Sequence, residues 1–396
     1  MTHPSSVLVV GASAAGLATA ESLRRKGYAG RLTLLGAEPH PPYDRPPLSK
    51  QVLAGTWRPE QAHLRSPDRL AALDAEFVLG DPAVGLDVAT RTVRTASGRH
   101  LRADAVVIAT GVRPRALPGQ RRAAGLHMLR SLDDALALRS DLTAAGHAVV
   151  VGDGVLGAEI AATARTLDVP VTLVGPQPTL MASQLGLTVG RLLTDLHRER
   201  GVRLRLGTAV AGLTYGQDRV TGVRLGDGDT LDAAVVVVAI GAVPETDWLA
   251  GSGLALGDGV LCDAHGRAAD GIYAVGDVAR RPDAESGALL RLENRTNATE
   301  HASAVAGTIL GELRPYAPVP YFWTDQFDAK IHVHGRPAPD DEVRVVEGDT
   351  GARRFVAAYH RQGRVTGVLG WNMPKQVRQQ RQALLVGPPP GVTADA

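Results

Sequence analysis

Short apolar runs that end in a glycine turn and pass into a small-residue stretch recur along this chain. Val7–Val10 leads through such a turn into the alanine-rich segment Ala14–Arg25, and Arg31–Leu35 is a second apolar run. A brief, unbroken apolar run bounded by turn residues reads as a buried strand, and the longer alanine-rich stretch as a helix. Residues 7–35 therefore predict a βαβ unit. The same order returns at Ala148–Val151, Val155–Thr166 and Val171–Val174, a repeat of architecture and not of sequence. Ala105–Ala109, Ala234–Ile240 and Gly271–Val275 add further apolar strands.

Beyond Pro315 the texture changes to short alternating runs at Lys330–His334, Glu342–Val346, Phe355–Tyr359 and Val365–Leu369. Glu347-Gly348-Asp349 and Gln362-Gly363 fall between them as turns, which predicts an antiparallel meander. A helix over about Lys375–Leu385 closes this region, and Gly387–Gly391 opens an expected disordered tail. The expected fold class is α/β, with two Rossmann-like nucleotide-binding domains and a C-terminal α+β domain. The first would comprise residues 1–112 and 240–315, the second 113–239 and the third 316–396.

Composition narrows the function without choosing it. An apolar fraction of 44% with 21% charged residues is that of a folded globular protein. A formal net charge of +2 gives no argument for nucleic acid. The single cysteine, Cys262, excludes an internal disulfide, a CxxC redox centre and a cysteine-rich metal site. His332 and His334 fall on one strand face, but no third ligand has a suitable spacing, so no metal is expected. No apolar run approaches the ~20 residues of a membrane span, and the expected setting is the cytoplasm. A monomer is favoured.

The chemistry lies in the glycine turns. Gly11-Ala12-Ser13-Ala14-Ala15-Gly16 keeps the first and third glycines of a GxGxxG turn and puts Ser13 at the middle. Glu38 follows the second strand, where a carboxylate can accept a hydrogen bond from an adenosine ribose. Gly152-Asp153-Gly154-Val155-Leu156-Gly157 is a complete GxGxxG between strand and helix, so that phosphates would sit on a helix N-terminus. The acidic residue expected after the next strand is missing: Gly175-Pro176-Gln177 stands there. NADH versus NADPH is left open, with NADH favoured.

Two dinucleotide sites suggest one resident and one exchanging ligand. Ile272–Val278 ends an apolar strand in Gly276-Asp277, which places a carboxylate at the edge where such sheets bind ligands. Ala109-Thr110-Gly111 and Gly241–Pro244 accompany it. With these stretches go Pro42-Tyr43-Asp44-Arg45-Pro46-Pro47-Leu48-Ser49-Lys50, Arg113-Pro114-Arg115, Tyr321–Gln326 and Asn372-Met373-Pro374. Together they resemble, from about Val7 to Leu385, the FAD-dependent ferredoxin reductases of oxygenase systems, of the putidaredoxin reductase and biphenyl dioxygenase reductase type. These are glutathione-reductase-like flavoproteins.

The resemblance implies roles. Gly11, Ser13, Ala14, Ala15 and Gly16 would carry the FAD pyrophosphate and Glu38 its ribose. Arg45, Ala83, Val84, Thr110, Gly111, Arg130, Gly276, Asp277, Glu293, Asn294 and Trp323 would line the cofactor. Arg295 stands where the family often carries Trp or Val, which implies a backbone contact. Gly152, Gly154, Val155, Leu156, Gly157 and Gly241 would receive the nicotinamide nucleotide. Lys50 is implied near the reactive edge of the flavin, and Glu159 near the nicotinamide and paired with Lys50; these two are the candidate catalytic residues.

NAD(P)H would pass hydride to FAD, and the electrons then need an exit. No cysteine lies between Glu38 and Lys50, and Cys262, in Val260–Asp263, reads as a buried small residue. The electrons must leave the flavin directly. The resemblance implies a 2Fe–2S ferredoxin as acceptor, feeding a cytochrome P450 or a Rieske oxygenase. Two other readings share the motifs: an NAD(P)H oxidase or quinone reductase, and a redox-sensing flavoprotein resembling apoptosis-inducing factor.

Overall fold

In the computed structural model, which describes residues 3–283 and 286–384, the first βαβ unit forms as its pattern requires. Leu385 and the stretch Gly387–Gly391 lie outside the described residues. Strand β1 (Ser6–Val10) feeds helix α1 (Ala14–Arg25), and strand β2 (Arg31–Leu35) returns parallel to β1. The chain divides into two units. One comprises Met1–Asp44, Pro59–Arg113 and Ala242–Pro318; the other comprises Arg45–Arg58, Pro114–Gly241 and Val319–Ala396.

In the first unit, β1 lies inside a six-stranded sheet. Its order is Arg267–Ala269, Ile272–Ala274, Ala105–Ile108, β1, β2 and Glu76–Val78. Only Arg267–Ala269 runs antiparallel to its neighbour. Both faces of the sheet are covered, which is why its strands are apolar throughout. Val7 and Val9 pack with Ala20 and Leu23 of α1 and with Ala298, Val305 and Ala306 of the helix Arg295–Ile309. Leu8 and Val10 pack the other way, with Leu86, Val93, Val260, Cys262 and Val278.

The second unit repeats the plan. Strand β3 (Ala148–Val151), helix α2 (Val155–Thr166) and strand β4 (Val171–Gly175) belong to a five-stranded parallel sheet. Its order is Arg203–Leu206, β4, β3, Val235–Val238 and Leu126–His127. Helix α3 (Ala182–Glu199) follows β4, and Gly186 breaks its helical backbone. A three-stranded antiparallel sheet, residues 210–232, covers Val149, Val151, Val236 and Val238 with Val220, Val223 and Leu225.

The C-terminal strands form an antiparallel sheet in the order β5 (Tyr321–Gln326), Ala329–Gly335, Arg364–Trp371, Arg354–Arg361, Glu342–Asp349. Glu347-Gly348-Asp349, expected as a turn, continues the last of these strands through a bulge between Val345 and Glu347. Gly348 has φ +86°, and a Cβ there would lie 2.2 Å from the Arg354 carbonyl, so the glycine answers to the close approach of the partner strand and the reversal falls at 350–353. Gln362 and Gly363 both have positive φ, the backbone a two-residue hairpin demands. The helix Pro374–Gln380 continues as a tighter turn, Arg381–Leu384, and packs Val377 against Ala358 and Val368.

Arg45–Arg58 belongs with the second unit because of what it buries there. Leu48, Val52 and Leu53 are buried, and the Thr163 hydroxyl of α2 donates to the Ser49 carbonyl at 2.7 Å.

Candidate functional site

The two glycine turns share one backbone. Gly11 has φ +117° and Gly152 φ +129°, conformations that only glycine adopts without strain. The Gly11 N–H donates to the Leu35 carbonyl at 2.7 Å, and the Gly152 N–H to the Val174 carbonyl at 2.8 Å, so each turn is tied to the following strand. Gly16 and Gly157 sit so close to the preceding turn that a Cβ would lie 1.8 Å from the Gly11 carbonyl and 1.9 Å from the Gly152 carbonyl.

The middle positions differ in kind. Ser13 caps α1 with φ −97° and Gly154 caps α2 with φ −82°, values open to any L-residue. Around Gly154 no protein atom lies within 4 Å of an added Cβ, so its own neighbours do not demand a glycine. Small residues here keep the helix N-terminus approachable, and neither cap makes a side-chain bond to the first-turn N–H groups. That is the cradle a dinucleotide pyrophosphate needs, and both turns fit it.

The first unit assembles more around its turn. Glu38, at the C-terminal edge of the sheet past β2, accepts a hydrogen bond from the Tyr43 hydroxyl. A Cβ at Gly276, which has φ +71°, would lie 2.9 Å from the Ala15 Cβ, so the Gly276-Asp277 loop is packed onto the start of α1. The helix Arg295–Ile309 is capped by Asn294, not by Asp277. Thr110 donates to the Glu245 carbonyl at 2.8 Å, and Gly111 has φ +71°. Ala83 and Val84 lie on a strand of the small antiparallel sheet 83–102, and Glu293 is exposed and bonded to Arg291. The Arg295 side chain is held by the protein itself: its Nε donates to Asp44 at 2.5 Å and its Nη1 to Thr299.

The other expected FAD neighbours belong to the second unit. Arg45 donates to the Arg130 carbonyl, and the Arg130 N–H donates to Asp134, which closes a capping box with Ser131. Trp323, half-buried on β5, stacks on Tyr321 with ring centroids 5.8 Å apart. Gly241 has φ +98°.

Lys50 and Glu159 meet in the same unit. Glu159 opens the second turn of α2, two residues past Gly157, and is only 5% exposed. Its Oε2 accepts from Lys50 Nζ at 2.8 Å and from the Ser49 hydroxyl at 2.5 Å, and its Oε1 from the Thr324 hydroxyl at 2.8 Å. Behind Thr324, Gln326 donates to the Thr324 hydroxyl at 2.9 Å, and its Oε1 lies 2.8 Å from His197 Nε2. Burial lowers the His197 pKa to about 4, so the ring is neutral at pH 7 and its proton sits on Nε2, facing Gln326. The result is a buried carboxylate satisfied by three donors, holding one ammonium in a fixed place.

Ser49, Thr324, Gln326 and His197 were not singled out in the sequence. A faint signal existed: Thr324 and Gln326 are polar residues two apart, on the face of β5 that turns inward. Asp153 was also passed over. It is 5% exposed and bonds Gln177, which stands at the place Glu38 takes in the first unit. Cys262 is buried among apolar side chains, and that burial pushes its thiol up to about 12. His332 bonds the Tyr321 hydroxyl at 2.7 Å. Among the described residues no group of three His, Cys, Asp or Glu side chains is placed to hold a metal, and no helix is long and apolar enough to cross a membrane.

Known proteins match this arrangement over most of the chain. The family described as pyridine nucleotide-disulphide oxidoreductase matches residues 5–302, and the reductase C-terminal family matches residues 321–394. The ferredoxin–NAD(+) reductase component of the p-cumate 2,3-dioxygenase system of Pseudomonas putida is 36% identical over 96% of this chain and 92% of its own. The ferredoxin reductase component of chlorobenzene dioxygenase from a Cupriavidus species is 38% identical over 93% of this chain and 90% of its own. The crystal structure of the covalent putidaredoxin reductase–putidaredoxin complex superposes with a TM-score of 0.90 at 33% identity, covering 96% of this chain and 92% of that one.

Proposed function

Because the chain belongs to the pyridine nucleotide-disulphide oxidoreductase family and ends in a reductase C-terminal domain, we propose that it is an FAD-dependent ferredoxin reductase. It takes electrons from NADH and delivers them to a 2Fe–2S ferredoxin that serves a cytochrome P450 or a Rieske oxygenase. The observation that carries this reading is a pair of matched glycine turns in a chain whose single thiol is buried. The family's disulphide exit has no residues here, and the relatives named above reduce ferredoxins for dioxygenases.

The residues divide the work. In the first unit, N–H groups at the start of α1 would hold the FAD pyrophosphate, and Glu38, oriented by Tyr43, would accept from a ribose hydroxyl. Gly276 lets Asp277 close on the same turn. Bound FAD supplies hydride acceptance and single-electron release. In the second unit, α2 receives the nicotinamide nucleotide on the Gly152–Gly157 turn. Lys50 acts in hydride transfer from the nucleotide held there, and Glu159 is its positioning residue, fixed by Ser49 and Thr324. A compact ammonium held by a buried carboxylate keeps its place.

The experiment that tests the exit route is ferredoxin-dependent turnover in Cys262→Ser. Turnover within about twofold of the parent fits direct exit from the flavin; a loss of about a hundredfold with the fold intact would return the chemistry to a thiol.

A further inference from the structure

The second nucleotide turn lacks an acidic residue after its strand, yet it does not lack the carboxylate. After β2 the chain reads Gly36-Ala37-Glu38-Pro39, and from the last residue of β4 it reads Gly175-Pro176-Gln177-Pro178. The two stretches have matching backbone bonds: the Glu38 carbonyl accepts from the Gly80 N–H at 3.0 Å, and the Gln177 carbonyl from the Gly207 N–H at 2.9 Å. Gln177 therefore occupies the Glu38 place and brings no charge. The charge comes from the turn itself, where Ala12 of the first unit is replaced by Asp153.

Asp153 fills the space above Gly175. A Cβ at position 175 would lie 2.2 Å from Asp153 Oδ2 and 2.6 Å from its Cβ, so no side chain at 175 can coexist with this carboxylate. The Gln177 N–H donates to Asp153 Oδ2 at 2.7 Å and its Nε2 to Oδ1 at 2.6 Å. Gln177 Oε1 in turn accepts from the Ser183 N–H at 2.7 Å and hydroxyl at 2.6 Å, and the Met181 N–H donates to the Asp153 carbonyl at 2.8 Å. The carboxylate is thus held rigidly at the C-terminal edge of β4, beside the turn that receives the phosphates. That edge is where such folds read the adenosine ribose.

Building on the reductase reading, we propose that Asp153, held by Gln177, is the coenzyme-specificity residue that excludes NADPH. A fixed carboxylate at this edge repels a 2′-phosphate and leaves a 2′-hydroxyl unopposed, whichever residue supplies it. Beyond Gln177, Arg191 and Arg198 line a cavity with Pro178, Thr179 and Asp195, and Arg198 bonds Asp195 there at 3.1 Å.

The test is calorimetric titration of the FAD-loaded protein with NAD+ and with NADP+. It is run on the parent, on Asp153→Asn, and on the double variant Asp153→Ala, Gln177→Glu, which copies the Ala12 and Glu38 arrangement. The parent should bind NAD+ about tenfold or more tighter than NADP+, and Asp153→Asn should shrink that ratio about tenfold. The double variant should restore the preference, and it decides the matter if Asp153→Asn fails to fold. A structural role alone would weaken both nucleotides together. An unchanged ratio in Asp153→Asn overturns the proposal, as does a parent that prefers NADP+, which would point to Arg191 instead. Selective binding of NAD+ without flavin reduction would fell the reductase reading and leave the proposal standing.

Discussion

At the first turn a Cβ on Gly11 would lie 2.2 Å from the Ala109 carbonyl, and at the second a Cβ on Gly152 would lie 2.2 Å from the Ala239 carbonyl. The outer glycines of both turns answer to the protein's own backbone, so they are the same in each. At the middle and acidic positions the turns part company. The first has Ser13 and Glu38, with Tyr43 bonded to the acid and the Gly276 loop packed on Ala15. The second has Gly154, a neutral Gln177, and its carboxylate within the turn at Asp153. The backbone plan makes a dinucleotide site; the residues laid over it decide which dinucleotide and how firmly it is held.

The largest effect expected is at the outer glycines. Gly16→Ala and Gly157→Ala each drive a Cβ into a carbonyl, a displacement that costs about 3 kcal/mol or more. Gly16→Ala should yield protein stripped of flavin, read by its absorbance near 450 nm. Gly157→Ala should stay yellow and lose reduction by NADH about a hundredfold or more. A fully yellow Gly16→Ala protein would break the division of labour between the turns.

Next comes Glu159→Ala, which leaves the Lys50 ammonium in a mostly buried place without its carboxylate. The expected loss is about 3–5 kcal/mol in denaturant unfolding. Thr324→Val removes one of three donors and should cost about 1 kcal/mol. Equal losses from the two variants would mean that Glu159 is packed and not charged with holding Lys50.

A smaller effect distinguishes buried histidines in the two units. Burial lowers His197 from 6.5 to about 4 and His301 from 6.5 to about 3, so both are neutral when folded at pH 7. The unfolded chain takes up protons first, near pH 6.5. The stabilisation is therefore full above that pH and is lost as pH falls toward 4 and 3, by about 1.4 kcal/mol per pH unit for each ring. His197→Gln should remove one share of that slope between pH 6 and 4, with unfolding followed at each pH. An unaltered slope would show that His197 titrates normally. Smallest of all, Gly154→Ala should leave thermal stability unchanged or raised by about 0.5 kcal/mol, since its φ suits alanine. Its NAD+ affinity should still fall, by about tenfold as an order of magnitude.

Both βαβ units were legible because their strands are buried on two faces and their helices begin at a glycine turn. α1 and α2 have the bounds that the apolar pattern predicts. The pairing of Lys50 with Glu159 was implied by family resemblance, since no spacing rule links residues 109 apart. The network around Glu159 was not legible: Ser49 and Thr324, which donate to it, and Gln326, which donates to Thr324, are ordinary polar residues until three segments converge. Gly348 misled for a simple reason. A glycine flanked by acids reads as a turn, and only pairing with Phe355 shows that the strand continues. Asp153 escaped because the carboxylate was sought after the strand, where Gly175 makes room for one from the turn.

The account stands on electrons entering through the second turn and leaving directly from the flavin held at the first. The measurement that reaches it is anaerobic stopped-flow: bleach the flavin with NADH, then mix with an oxidised 2Fe–2S ferredoxin or, separately, with dioxygen. The account predicts bleaching by NADH well ahead of NADPH, followed by reoxidation that is fast with ferredoxin and slow with dioxygen. Reoxidation by dioxygen or quinone alone, with no response to any of a panel of such ferredoxins, would contradict it.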